Sequence, residues 1–119
     1  VVVDLIAHAN PSLYVKTPLE VFHLNFTENM KIVEWCVNAG KRLVQFSSCE
    51  VYGKTLAAVA RDKVKDPEDP ALAVFQEDKT DLIMGPIHKQ RWIYACAKQL
   101  LERVLHAYGL DGKLEYQII

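Results

Sequence analysis

Three short apolar runs, VVVDLIAHA (1–9), KRLVQFSS (41–48) and GKLEYQII (112–119), are separated by two stretches whose apolar residues recur at helical spacing. That alternation constrains the fold more than any other feature. The first run is β-branched and almost continuously apolar, the pattern of a strand buried on both faces. Between 18 and 40, Val21, Leu24, Met30, Ile32, Val33 and Val37 keep roughly helical spacing, with Pro18 suited to a first turn and Gly40 to a stop. Residues 87–109 read as a second, longer helix with an apolar stripe through Ile93, Leu100, Leu101, Val104 and Leu105, ended by Gly109. Strand–helix–strand–helix–strand predicts an α/β fold, a parallel sheet with right-handed crossovers and helices packed on its faces. NPSLYVKTP (10–18) reads as a loop, and CEVYGKT turns away from the end of the second strand. Residues 54–86, broken by Pro67, Pro70 and Pro86, read as a long loop with one short helix, and the charged ARDKVKDPEDP (60–70) within it as a solvated excursion.

At 119 residues the chain makes one domain, and 50% hydrophobic with 24% charged residues is a globular composition. A formal net charge of −1 gives no electrostatic case for nucleic acid or an anionic membrane surface. No apolar run approaches the roughly 18 residues of a membrane span. Cys36, Cys49 and Cys96 are odd in number and lack CxxC spacing, which favours a reducing, cytoplasmic setting over a disulfide framework or zinc site. His8, His23, His88 and His106 share no ligand spacing, so no metal is expected. The sequon at Asn25-Phe26-Thr27 falls inside a helical pattern and reads as chance. Trp35 and Cys36 are expected on the core side of the first helix, and Trp92 as a packing anchor. Both ends of the chain read as buried strands cut from something longer.

The chemistry-bearing residues gather at two places. Tyr94 and Lys98 lie one helical turn apart. An ammonium beside a phenol favours the phenolate, which can take a proton from a hydroxyl. That spacing alone is weak, since an exposed tyrosine beside a solvated lysine is common. Some forty residues earlier, Ser47, Ser48, Cys49 and Glu50 close the second strand, at the carboxyl edge where ligands of parallel sheets collect.

SSCEVYG with YACAK resembles the extended branch of the short-chain dehydrogenase/reductase superfamily, over essentially the whole chain. ANPSLY, CEVYGKT and GPIHKQRWIYACAKQLLERVLHAYG are similar to its UDP-glucuronate decarboxylating group, which includes UDP-apiose/UDP-xylose synthases and the dehydrogenase domain of the aminoarabinose pathway enzyme. The resemblance implies a Rossmann-like parallel sheet with flanking helices, as the central-to-C-terminal part of an NAD-binding domain. It implies Tyr94 as catalytic base at the sugar C4 hydroxyl, Lys98 lowering its pKa and holding the nicotinamide ribose, and Ser48 sharing the C4 oxygen. Glu50 becomes an acid/base group near the carboxylate-bearing carbon, and Ala9, Tyr14, Ser48, Cys49 and Arg91 contact UDP-glucuronate, Arg91 facing a carboxylate or phosphate. Cys49 is a catalytic candidate in sugar-ring rearrangement or, equally, a small packing residue. Asn25 matches a structural asparagine. The implied partners are NAD, a UDP-sugar and, in the full-length protein, a second copy in a homodimer.

The resemblance stops at the cofactor cradle. The GxxGxxG turn, the acidic residue for the adenosine ribose and the C-terminal substrate subdomain are not in these residues, so the activity expected is that of a longer parent, with this piece alone inactive. A nucleotide-sugar 4-epimerase or 4,6-dehydratase with the same tyrosine and lysine is one alternative. A non-catalytic dinucleotide-binding module is another.

Overall fold

The computed structural model describes residues 1–54, 70 and 74–119. Strands β1 (Val2–Asp4), β2 (Leu43–Gln45) and β3 (Tyr116–Ile118) form a parallel sheet in the order β1-β2-β3. Between them run α1 (Pro11–Lys16), α2 (Pro18–Phe22), a π-helical segment (His23–Glu28), α3 (Asn29–Asn38) and α4 (Ile93–Leu110). The expected α/β, Rossmann-like architecture is present.

Among the described residues the helices cover one face of the sheet. Leu43 on β2 packs with Val33 and Cys36 of α3, Leu101 and Leu105 of α4, and Leu114, all buried. The opposite face carries Val3, which is 54% exposed in this chain. The three strands are also shorter than predicted. Residues 5–9, read as the end of the first strand, leave the sheet as a loop: Asp4 Oδ1 accepts the Ile6 N–H at 2.9 Å.

The stretch 10–18, expected as a loop, contains α1. Asn10 caps it, accepting from Ser12 N at 3.0 Å and Ser12 Oγ at 2.9 Å, and Pro11 supplies the first turn. The predicted helix 18–40 is present, but its middle widens into the π segment. Two asparagines fit that widening. Asn25 Nδ2 donates to Val21 O at 2.8 Å while its Oδ1 accepts from His8 N at 3.1 Å. Asn29 Nδ2 donates to Leu24 O at 2.7 Å and Ile6 O at 3.3 Å, and its Oδ1 accepts from Gln45 Nε2 at 3.3 Å. Both asparagines are fully buried and pin the loop after β1 to the helix. Asn25→Ala removes two such bonds, and with His8 N–H and Val21 O left unpaired the cost is expected to be about 2–3 kcal/mol, read from the denaturant midpoint. A glycan on a side chain so enclosed is sterically barred.

Cys36 is buried as expected, but Trp35 is 54% exposed and belongs to the outer face of α3. The long helix starts later than predicted: a 3-10 turn at Gln90–Trp92 precedes Ile93. It also ends later, at Leu110, with Gly112 turning the chain at φ 68°. Gly109, read as the stop, lies inside the helix for a packing reason, since a Cβ there would sit 2.3 Å from the Tyr116 ring. Leu100 of the predicted stripe is 45% exposed, while Leu101 and Leu105 are buried. The short helix expected within 54–86 and most of the charged excursion at 60–70 lie outside the described residues.

Candidate active site

Past β2 the chain stays extended through Ser48 (φ −163°, ψ 143°) and folds into a 3-10 turn, Cys49–Tyr52. Ser48 caps the turn, its Oγ accepting from Glu50 N at 3.2 Å. Gly53 closes it at φ 62° and runs beside Ile83 in a short parallel bridge, where a Cβ would come within 2.4 Å of the Ile83 carbonyl oxygen. Gln99 on α4 clamps the turn by donating to Val51 O at 2.6 Å. Sequence reasoning missed this clamp, although Gln99 directly follows the lysine of the motif.

The first turns of α4 point inward. Tyr94 is 3% exposed and Lys98 2%, which excludes the surface-decoration reading of this pair. The Lys98 ammonium donates to the Phe46 carbonyl at 3.0 Å, at the carboxyl end of β2. Burial pulls its pKa below the ordinary value, and Asp4 and Glu102 push back. The Tyr94 ring stacks on Tyr14 of α1, centroids 4.9 Å apart and planes within 5°. Burial raises the Tyr94 pKa, a hydrogen bond with Ser48 opposes it, and Glu50 and Cys49 raise it further. The net direction is upward, against the lowering expected from Lys98, because the phenol has lost water. Tyr14 is pushed up to about 12, by burial first and then by Glu50 and Tyr94, against Arg91.

Arg91 and Glu50 form a two-pronged ion pair, Nη1 to Oε2 at 2.7 Å and Nη2 to Oε1 at 3.1 Å. The guanidinium also lies 5.4 Å from the Tyr14 ring centre and 5.3 Å from that of Trp92. So Ser48, Glu50, Tyr14, Arg91, Tyr94 and Lys98 are gathered at one sheet edge. Cys49 is exposed at the start of the turn. Ala9 is exposed; it is Ala7 in the same loop that packs on the Tyr14–Val21–Tyr94 cluster. A groove of about 600 Å³ reaches Ser48 and Cys49 from the side of Glu102, His106 and Tyr116. It does not include Tyr94 or Lys98. Ser47, the neighbouring hydroxyl, is turned away from Tyr94 and donates to Glu102.

Among the described residues no cluster of three or more His, Cys, Asp or Glu side chains is placed to hold a metal, and no helix is long and apolar enough to cross a membrane. All three thiols are free.

The pattern of the NAD dependent epimerase/dehydratase family matches residues 1–119. The chain belongs to that family. It is 42% identical over 118 residues to UDP-D-apiose/UDP-D-xylose synthase 1 of Arabidopsis thaliana, covering 99% of this chain and 30% of the relative. It is 41% identical to UDP-D-apiose/UDP-D-xylose synthase of Oryza sativa subsp. japonica, covering 98% of this chain and 29% of the relative. In three dimensions it is similar to the PbgP3 protein from Burkholderia pseudomallei, with a TM-score of 0.76 at 41% identity, over 98% of this chain and 30% of that one. The chain thus spans about a third of the length of the family members it matches, and within those bounds the family's fold extends over its full length.

The residues present fit part of an NAD site. Lys98 holds a buried ammonium whose one hydrogen bond, among the described residues, is to Phe46 O, which leaves N–H groups for ribose hydroxyls. No pyrophosphate-binding glycine turn is formed by this chain: its glycines lie at 40, 53, 85, 109 and 112, and none opens a strand-to-helix phosphate loop.

Proposed function

We propose that the full-length protein containing this chain oxidises UDP-glucuronate at C4 with NAD and decarboxylates it, giving a UDP-4-ketopentose, UDP-xylose or UDP-apiose. The observation that carries this reading is a buried Tyr94, stacked on Tyr14 and one turn from a buried Lys98, at the same sheet edge as Ser48 and the Glu50–Arg91 pair. NAD, when bound, supplies the acceptor for the electrons that leave C4. Tyr94 takes the C4 hydroxyl proton, with Ser48 donating to or accepting from the same oxygen. Lys98 would hold the nicotinamide ribose and keep a positive charge near the phenolate. Arg91 receives an anionic group of the sugar nucleotide, and Glu50 exchanges a proton near C5. A ketone at C4 makes the uronic acid a β-keto acid, which loses CO2 readily, so the residues around C5 chiefly hold the group in place. Cys49, exposed at the mouth of the turn, is a candidate for ring rearrangement after decarboxylation.

The same reading places the protein in the cytoplasm as a homodimer, with Trp35 and Leu100 on the exposed helix surfaces available to a second copy. Sedimentation of the full-length protein tests the dimer.

The test of function is incubation of the full-length protein with UDP-glucuronate and NAD+, following CO2, NADH absorbance and the sugar by NMR. CO2 with stoichiometric NADH means a ketopentose-releasing enzyme. CO2 without net NADH means a xylose or apiose synthase. Absence of CO2 overturns the decarboxylase reading, and C4 inversion or loss of water in its place would identify an epimerase or a dehydratase. Binding of NAD without turnover would identify a binding module.

A further inference from the structure

In the resting geometry Glu50 and Arg91 engage each other. A carboxylate held by both prongs of a guanidinium is not free to carry protons, and the Nη1–Nη2 edge of that guanidinium is occupied. We infer that Glu50 stands in for the substrate's own carboxylate on Arg91, and that an acidic sugar nucleotide opens the site by exchanging carboxylates on that guanidinium. This inference rests on the proposed function and adds to it the means by which an acidic sugar is told from a neutral one.

The surroundings of the pair suit an exchange. Arg91 is fixed by more than its ion pair: its guanidinium lies against both Tyr14 and Trp92, so its position survives the departure of Glu50. Glu50 rides on a one-turn 3-10 element ended by Gly53, so its side chain can swing while Ser48 and Gln99 hold the backbone. The pair is reachable from solvent, with side-chain exposures of 40% for Arg91 and 23% for Glu50. Charge is conserved in the swap: one anion leaves the guanidinium as another arrives, so Arg91 keeps a partner throughout. A sugar with CH2OH at C6 brings no anion. It leaves Glu50 locked, and with it the proton exchange near C5. The event is also relayed inward, because Tyr14, touched by Arg91 on one side, stacks on Tyr94 on the other.

The experiment is calorimetric titration of the full-length protein, wild type and Glu50→Gln, with UDP-glucuronate and with UDP-glucose. Glu50→Gln removes the internal competitor, so the affinity ratio of the acidic over the neutral nucleotide is expected to rise by about tenfold. Arg91→Lys, which loses the two-pronged geometry, is expected to lower it. A ratio unchanged or reduced by Glu50→Gln overturns the inference. A crystal structure of wild type with UDP-glucuronate gives a readout independent of the variants: the sugar carboxylate on Arg91, with Glu50 beyond about 4 Å, is the expected result. UDP-glucuronate bound and decarboxylated with the Glu50–Arg91 pair intact overturns the exchange and leaves the proposed function standing. Failure of UDP-glucuronate to bind overturns both.

Discussion

Replacing Tyr94 by phenylalanine in the full-length protein is expected to lower kcat on UDP-glucuronate by about 10²–10⁴-fold, the span that a positioned acid–base group contributes. The substitution is narrow in its effect. Phenylalanine keeps the ring that stacks on Tyr14 and packs near Val21, so the folded state is expected to change by less than about 1 kcal/mol. Only the hydroxyl and its hydrogen bond to Ser48 are lost. Wild-type activity should carry a matching pH dependence. The phenol must lose its proton to act, and its pKa is raised by burial, so below that value kcat/KM should climb with pH, close to tenfold per unit. Ser48→Ala removes the hydroxyl that holds the pKa down and should move the limb to still higher pH. A pH–rate profile of the three proteins is the check. A flat profile, or a Phe variant within a few-fold of wild type, would mean that Tyr94 is not the base.

The second large effect separates activity from stability. Lys98→Met should abolish turnover, since nothing else among the described residues presents an ammonium at the Phe46 carbonyl, yet it should make the folded protein more stable at neutral pH by about 1 kcal/mol. The sign follows from the pKa. Burial is the largest influence on Lys98 and lowers its value below 10.5 despite Asp4 and Glu102, so charging it costs more in the folded than in the unfolded chain. That penalty is fully present below the lowered folded value. It is relieved as pH rises through that value toward 10.5, where the unfolded chain still holds the proton and the folded one does not. Methionine carries no such penalty and fills similar space. The gain in Tm over wild type should therefore be largest near neutrality and shrink at alkaline pH, as differential scanning calorimetry across pH will show. A loss of stability at neutral pH would mean that Asp4, left without its cation, dominates.

Much of this architecture is written in local patterns, and the parts that are not share a cause. Alternating apolar runs and helical stripes depend on nearest neighbours, and they located all three strands and both long helices. The short α1 is hard to read from NPSLYVKTP because its two prolines and turn formers suit a loop equally, whereas Asn10 before Pro11 makes it a capped first residue. Trp35 and Gly109 were misjudged for lack of knowledge of what lies opposite: Trp35 faces outward, and Gly109 makes room for a ring seven residues on. At the site, motif residues gave Ser48, Tyr94 and Lys98. No sequence spacing relates Glu50 to Arg91, 41 positions apart, and their mutual contact comes only from a sheet edge and a helix start converging. The direction of the Tyr94 pKa is hidden from the sequence for the same reason, since the burial that raises it is a tertiary fact.

The π segment acts as a phase correction. Val21 and Val33 are both fully buried, twelve positions apart in sequence. In an unbroken α-helix, at about 100° per residue, that separation leaves them about 120° out of step. The wide turn at His23–Glu28 absorbs about one residue's worth of rotation, which returns both valines to nearly the same face. A chain one residue shorter there would close into plain α-helix with its apolar faces still aligned, losing only the carbonyls that Asn25 and Asn29 now satisfy. Length in this helix is therefore free to vary by one without disturbing the core, provided the two asparagines vary with it.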